Sequence, residues 1–319
     1  MRVQPRTFLL SFLEMCGVQS TFMNIDELKR HPGEQAQLTY RLRNANVYVS
    51  REGFHFTDYL DPVETIPPEI DPSQLTSAES AYIESQLQAN LNKFRNQADL
   101  LTRYLELSQA HILDIGCGGG LFLSLLKERG AQVTGIELSD SRARYAQAKH
   151  NLEIYKIPIE SDFWQRGQAG TFDAVTLWDV IEHVNFPFQT LQCAVNVLKP
   201  GGVFMIDTPC RDSFYHRFGE LTYRLTRGRY PTFLNAMYSS HLFGHKQIFS
   251  TAEMRKLFDA SGLQVVELRT FHELSFPYEF YLQKLFKSRM FVKLLLPLVR
   301  LFFKIFKIQN KMLVVGRKL

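Results

Sequence analysis

Cysteine is scarce in this chain: four in 319 residues, at positions 16, 117, 193 and 210, with no C-x-x-C pair. That excludes a disulfide framework and an intact cysteine-rich zinc site, and predicts a reduced, cytoplasmic setting. No cleavable leader is expected either. Arg2 and Arg6 precede an apolar stretch at 8–13, but Glu14 interrupts it and no small-residue cleavage site follows. Acidic residues are nearly absent from the C-terminus, where residues 278–319 hold ten Lys/Arg against Glu279 alone. The net charge of +5 therefore divides into a tail of +9 and a body of −4. Such an asymmetry predicts an anionic partner for the tail only.

What is present suffices for a folded protein. With 45% hydrophobic and 22% charged residues, the chain is neither disordered throughout nor collagen-like. Residues 1–75 read as an N-terminal extension with a Pro-rich, acidic linker at 61–72. Leu13-Glu-Met-Cys16-Gly17 and Leu42-Arg-Asn-Ala45-Asn46 resemble the two knuckles of a zinc ribbon from which three of four cysteines are gone. Cys16 alone cannot hold tetrahedral zinc, so a short β-hairpin docked on the main domain is expected instead. Over 76–107 a connecting helix is predicted, because Ile83, Leu87, Leu91, Phe94, Ala98, Leu101 and Leu105 recur every three or four positions, with Thr76 or Ser77 as its cap. Short apolar runs follow at 110–115, 132–138, 152–157, 172–177 and 203–207, separated by amphipathic or capped segments. This alternation implies a parallel sheet with helices on both faces. Further strands are expected at 263–270 and 311–315, after a helix at 251–260 that Gly262 ends.

The most informative segment is His111-Ile-Leu-Asp114-Ile-Gly116-Cys117-Gly118-Gly119-Gly120-Leu121. A strand running into glycines and then a helix lets backbone approach a ligand and aims a helix N-terminus at it. Leu121 stands where a dinucleotide fingerprint needs its third glycine, which disfavours a dehydrogenase. Glu137 follows at the end of the next strand, then Phe172-Asp-Ala-Val-Thr-Leu-Trp178-Asp179-Val-Ile-Glu182-His183-Val184 and Leu198-Lys-Pro-Gly-Gly202.

In order and spacing these motifs resemble the class I S-adenosylmethionine-dependent methyltransferases, in particular the ubiquinone-pathway O-methyltransferases and methyltransferase types 11 and 23, over roughly residues 108–270. The resemblance implies an α/β fold, a Rossmann-like seven-stranded mostly parallel sheet with helices on both faces, and S-adenosylmethionine as cofactor. It implies that Asp114 and the backbone of Gly116, Cys117 and Gly118 surround the methionine moiety. Glu137 would hold the ribose and Leu138 would lie against adenine. For the adenine-edge carboxylate Asp162 is the first candidate and Glu160 the second, while Trp178 and Asp179 would lie near the reactive methyl.

Because a sulfonium is already activated, the protein must mainly position the acceptor and remove its proton. His183 and His245 are the candidate bases. Each is equally at home as a hydrogen-bonded structural histidine. If the segment after the fourth parallel strand is helical, Asp179, Glu182 and His183 share a face and His245 can complete a divalent-metal site. That segment is similar to the E-x-x-E-H stretch of small-RNA 2′-O-methyltransferases and ubiquinone-pathway enzymes; a metal is considered but not favoured. Residues 208–245, rich in aromatics and arginine, are expected to form the acceptor lid. A small-molecule, saccharide or lipid-linked acceptor is expected. Nucleic acid is not favoured, because the body is acidic and carries no nucleic-acid module. An RNA 2′-O-methyltransferase and a non-catalytic scaffold that kept the fold stand as alternatives.

Within 271–319 the sequence predicts a basic amphipathic helix and a final strand. Over 285–308 Arg289, Lys293, Arg300, Lys304 and Lys307 keep to one helical face opposite Leu and Phe, and the longest uncharged run, 294–299, has six residues, far below the ~20 that span a membrane. Pro297 is expected to kink or divide the helix. A helix lying at an anionic membrane surface fits this pattern, as does packing on the core or a dimer.

Overall fold

The computed structural model describes residues 25–30, 35–62, 69–231, 233–274, 277–306 and 308–319. The apolar runs that end in turns become strands of one sheet: β4 (His111–Ile115), β5 (Gln132–Ile136), β6 (Glu153–Tyr155), β7 (Phe172–Trp178), β8 (Leu198–Pro209), β10 (Leu263–Phe271) and β11 (Lys311–Lys318). Their order is β10-β11-β8-β7-β4-β5-β6. From β8 to β6 all neighbours are parallel, and β11 inserts antiparallel to both β10 and β8. A sheet covered on both faces needs strands that are apolar on both. β4 meets this with Leu113 and Ile115 buried toward one core and Ile112 toward the other. The register sets Asp114 opposite Gly135 on one side and Thr176 on the other, and pairs Trp178 with Asp207. All the site-bearing strand tips therefore lie at one end of the sheet.

The helices that cover the sheet include α4 (Leu121–Glu128), α5 (Asp140–His150), α6 (Asp162–Gly167), α7 (Pro187–Val197) and α10 (Thr251–Ala260). Gly262, at φ 76°, lies just beyond the end of α10 as expected. Instead of one connecting helix there are two, α2 (Ser77–Ala89) and α3 (Leu91–Leu101), divided at Asn90. Thr76 is the cap, in a reciprocal box with Glu79. Before them, α1 (Ile25–Arg30) docks through Asp26, whose carboxylate accepts from the Phe188 and Gln189 amides at the start of α7.

The expected N-terminal hairpin is present as β1 (Ala36–Arg41) and β2 (Asn46–Ser50), and the 42–46 knuckle is its turn, with the Leu42 amide donating to Ala45. The other knuckle, with Cys16, lies outside the described residues, as does 63–68 of the linker. β3 (His55–Thr57) and β9 (Gln247–Ile248) complete a four-stranded sheet, β1-β2-β3-β9. Between β8 and β9 run α8 (Phe214–Leu225) and α9 (Leu234–Met237), within the 208–245 segment expected to form the acceptor lid. This sheet holds that segment: the Tyr40 hydroxyl donates to Glu220, the Arg43 amide to Asn235 and the Ser240 amide to Asn44.

The tail forms α11 (Tyr278–Leu285) and α12 (Arg289–Phe306) before β11. Pro297 sits inside α12 without dividing it. Three of the tail's ten cations serve the fold: Lys311 is buried among carboxylates, Arg317 donates to the Gly201 and Tyr104 carbonyls, and Lys318 to those of Val195, Asn196 and Leu198. Among the described residues no helix is long and apolar enough to cross a membrane.

Candidate cofactor and acceptor site

The glycine loop leaves β4 beside Asp114, which is buried and accepts a 2.7 Å bond from the Thr176 hydroxyl on β7. Burial pushes the Asp114 carboxyl up to about 8. Gly116, Gly118 and Gly120 all have positive φ. A Cβ at Gly116 would fall 2.6 Å from Val180 Cγ2, and one at Gly119 2.9 Å from both Ile83 and Leu87, so the segment after β7 and helix α2 both press on the loop. Gly118 differs, because a Cβ there would meet nothing within 4 Å. Its φ of 57° needs glycine, and its open side is a cradle of backbone that a ligand can approach. Cys117 is buried, and a Cβ at Gly135 would lie 2.6 Å from its sulfur, so this thiol fills a packing position.

Glu137 follows β5 directly. Its Oε2 accepts from the Gly118 amide and its Oε1 from the Ser139 amide, both at 2.8 Å. Each oxygen keeps a second lone pair, which suits a pair of neighbouring hydroxyls. Burial raises the carboxyl's pKa, opposed by the Ser139 and Gly118 amides and by Arg142. Leu138, next in the chain, is half-buried against the core. Of the two carboxylates considered after β6, Glu160 accepts from Thr190 on α7, whereas Asp162 opens α6, exposed and 3.6 Å from Arg166. Asp162 is thus the one left accessible.

At the tip of β7 the Trp178 ring packs edge-on against Phe122, centroids 5.5 Å apart, and its indole N–H is buried without a hydrogen-bond partner. Asp179 adopts φ 55°. Its carboxylate lies 2.7 Å from Lys93 Nζ and 2.6 Å from Lys311 Nζ, and its amide donates to Asp207 at 2.9 Å. Although burial opposes ionisation, the two ammonium groups hold Asp179 well below the usual carboxylate range. Glu273 closes the network through both lysines. Lys93, Gln97, Asp207, Glu273 and Lys311 were not among the site residues expected from the sequence. The only signal was Lys93 and Gln97, polar at i and i+4 beside the apolar stripe of the connecting helix.

Residues 181–183 form a turn rather than a helix, so Asp179 does not share a face with Glu182 and His183. It goes to the lysine network instead. The other three candidates do meet: Glu182, His183 and His245 each present a ligating atom within 4.8 Å of the others. Glu182 is fully buried, its Oε2 accepts from Thr208 at 2.9 Å and its Oε1 has no partner. His183 Nε2 lies 3.8 Å from that free oxygen, and the two imidazole centroids are 4.7 Å apart. Burial, assisted by the charge of Asp179, pushes Glu182 up to about 7, and burial lowers both histidines, favouring neutral rings near pH 7. Residues just beyond His245 clamp the turn: the Lys246 amide donates to the Glu182 carbonyl, Lys246 Nζ to that of His183, and Gln247 Nε2 to those of Ile181 and Val184. The sequence distance between 183 and 245 is bridged by this pairing.

A seven-stranded sheet with its last strand antiparallel, a glycine loop after β4 and a carboxylate at the tip of β5 define a class I S-adenosylmethionine-dependent methyltransferase. A family described as Methyltransferase domain matches residues 85–268, and the chain belongs to it. Ubiquinone biosynthesis O-methyltransferase of Xanthomonas oryzae pv. oryzae (strain PXO99A) is 36% identical over 115 residues, 34% of this chain and 47% of that protein. Its counterpart in Xanthomonas axonopodis pv. citri (strain 306) is 38% identical over 109 residues, 33% and 45% of the two chains. The chain spans about half the length of the curated relatives it matches. Among solved structures, a Haloferax volcanii methyltransferase in complex with the Trm112 methyltransferase activator shares the fold at TM-score 0.51 and 16% identity, over 75% of this chain and 92% of that one.

Proposed function

We propose that this protein transfers the methyl group of S-adenosylmethionine to an oxygen of a small-molecule, saccharide or lipid-linked acceptor. The observation that carries the reading is the Glu182–His183–His245 cluster, buried at Glu182 and half-buried at the two histidines, set just after Val180, which touches the glycine loop. The residues fit the cofactor: Gly118 offers an open backbone cradle and Glu137 two spare acceptor positions above it. When bound, the cofactor supplies an electrophilic methyl. The chain's own residues do the rest. His245 Nδ1 faces the Met237 carbonyl at 3.2 Å, which assigns its proton there and leaves Nε2 unprotonated. His183 takes the proton of the acceptor hydroxyl, and the neighbouring Glu182 carboxylate, 3.8 Å from its Nε2, stabilises the imidazolium so formed. The lid, held by the N-terminal sheet, closes over this face and excludes water.

A second reading rests on the same three side chains. One oxygen and two imidazoles within 4.8 Å, with Glu182 Oε1 unpartnered, fit a divalent cation, which would polarise the acceptor oxygen. Transfer of labelled methyl to fractionated cell extract, with and without exhaustive chelation, tests both. Label in an alkali-stable ether, insensitive to chelator, supports the histidine reading. Loss of transfer on chelation, restored by added metal, supports the cation. Cofactor binding without transfer to any fraction overturns both in favour of a scaffold.

A further inference from the structure

The helix α12 has three faces. Val292 is buried and Phe303 packs into an aromatic cluster with Tyr278, His272 and Tyr215, the last from the lid helix α8. A second face carries Arg289, Lys293 and Arg300, all exposed, with no carboxylate among the described residues in ion-pair reach. The third is apolar and uncovered among the described residues: Met290 is 74% exposed, Leu294 70%, Leu298 63% and Ile305 62%, at helical spacings of four, four and seven. A soluble helix normally turns such a stripe inward.

The lid helix repeats the pattern. Phe214, Phe218, Leu221 and Leu225 recur at spacings of four, three and four and are all exposed, Leu225 at 74%, with Arg217 and Arg224 exposed on the same helix. The two apolar stripes are continuous, because Phe214 of α8 lines one recess of 410 Å³ with Phe302 and Phe306 of α12. An apolar patch of this extent rimmed by cations on both helices is not an ordinary monomer surface.

We infer that α12 and α8 together form a docking surface for an anionic lipid bilayer. Charge selects this occupant over a second copy of the chain, since two such faces would bring like-charged rims together, whereas anionic headgroups neutralise them while the Leu and Phe side chains enter the acyl boundary. The fold sharpens the sequence expectation in two ways. Lys311, Arg317 and Lys318 leave the basic set because the sheet uses them, and the lid joins it, so that bilayer contact falls on the element over the acceptor face. The inference stands on surface chemistry alone and is tested apart from methyl transfer.

Co-sedimentation of the full chain with phosphatidylcholine vesicles, with and without phosphatidylglycerol, is the test. Binding should be at least tenfold tighter to the anionic vesicles at low salt, and should fall by about fivefold for each cation removed in Lys293→Gln and Arg300→Gln, as expected for surface cations at an anionic membrane. Leu294→Glu/Leu298→Glu should abolish pelleting, and Leu221→Glu/Leu225→Glu should weaken it, with cofactor affinity by calorimetry unchanged as the check on folding. Equal or absent binding to both vesicle types overturns the inference. So does a concentration-dependent dimer that Leu294→Glu/Leu298→Glu dissolves while vesicle binding stays at wild-type strength.

Discussion

Lys311 Nζ lies 2.6 Å from Asp179 Oδ1 and 3.1 Å from Asp207 Oδ2, so the last strand of the chain holds the tip of β7 in place. Lys311 and Asp207 are buried and Asp179 is half-buried, and removing the single cation shared by both carboxylates leaves charge uncompensated in a low-dielectric site. Lys311→Met is expected to destabilise the protein by about 3–5 kcal/mol, read by denaturant unfolding. A variant as stable as wild type would mean that Lys93 alone neutralises the pair.

Glu137→Ala is expected to weaken S-adenosylmethionine binding by about 1.5–3 kcal/mol, the scale of charge-assisted hydrogen bonds. Calorimetry on the folded variant decides it, and an unchanged affinity would reject Glu137 as the ribose ligand. The same substitution frees the Gly118 amide, so the loop should also show faster hydrogen exchange at that position.

Asp114 gives a pH signature. Its carboxyl is raised from 3.8 to about 8 in the folded protein, so the native state holds a proton that the unfolded chain releases. Its contribution to stability is complete below pH 3.8 and is lost as pH rises toward 8, with a slope of at most about 1.4 kcal/mol per pH unit. Asp114→Asn keeps an oxygen for Thr176 and removes the titration. The variant should therefore gain on wild type steadily between pH 4 and 8 in denaturant unfolding; parallel curves would contradict the assignment.

Glu220 behaves in the opposite sense. The bond from Tyr40 and the His216 imidazole 3.8 Å away outweigh its partial burial and hold it at about 2, below its usual 4.5. The stability it lends is present above pH 4.5 and is lost as pH falls through about 2. Glu220→Gln should flatten acid unfolding in that window, and Tyr40→Phe should speed hydrogen exchange in α8. No change in α8 would show that the N-terminal sheet does not hold that helix.

Much of the fold was legible because its signals are local. Each predicted strand from 110–115 to 311–315 appears within a few residues of its expected bounds, since a short apolar run ended by turn residues has few alternatives in an alternating pattern. The cofactor loop was legible for the same reason: φ-positive glycines at 116, 118 and 120 leave a mark in the sequence itself. Less visible was the break at Asn90, where the three-and-four spacing of Leu87, Leu91 and Phe94 continues through a change of helix. Long-range pairing was hidden altogether. Nothing in Lys311, read as one cation of a basic tail, announces that β11 inserts beside β8 and delivers it to Asp179. The helical face proposed for Asp179, Glu182 and His183 failed because the segment is a turn, and the Glu182–His183–His245 meeting depends instead on the Lys246 amide and the Gln247 side chain, which donate to carbonyls of that turn.

In the proposed mechanism the Glu182–His183–His245 cluster receives the acceptor's proton during methyl transfer. That step is tested most directly by labelled-methyl incorporation into fractionated cell extract by wild type, His183→Ala and His245→Ala, with cofactor affinity measured on the same preparations. The expected result is transfer by wild type and a loss of roughly 10²–10⁴ in His183→Ala at unchanged cofactor affinity. Transfer at the wild-type rate by both variants would contradict it.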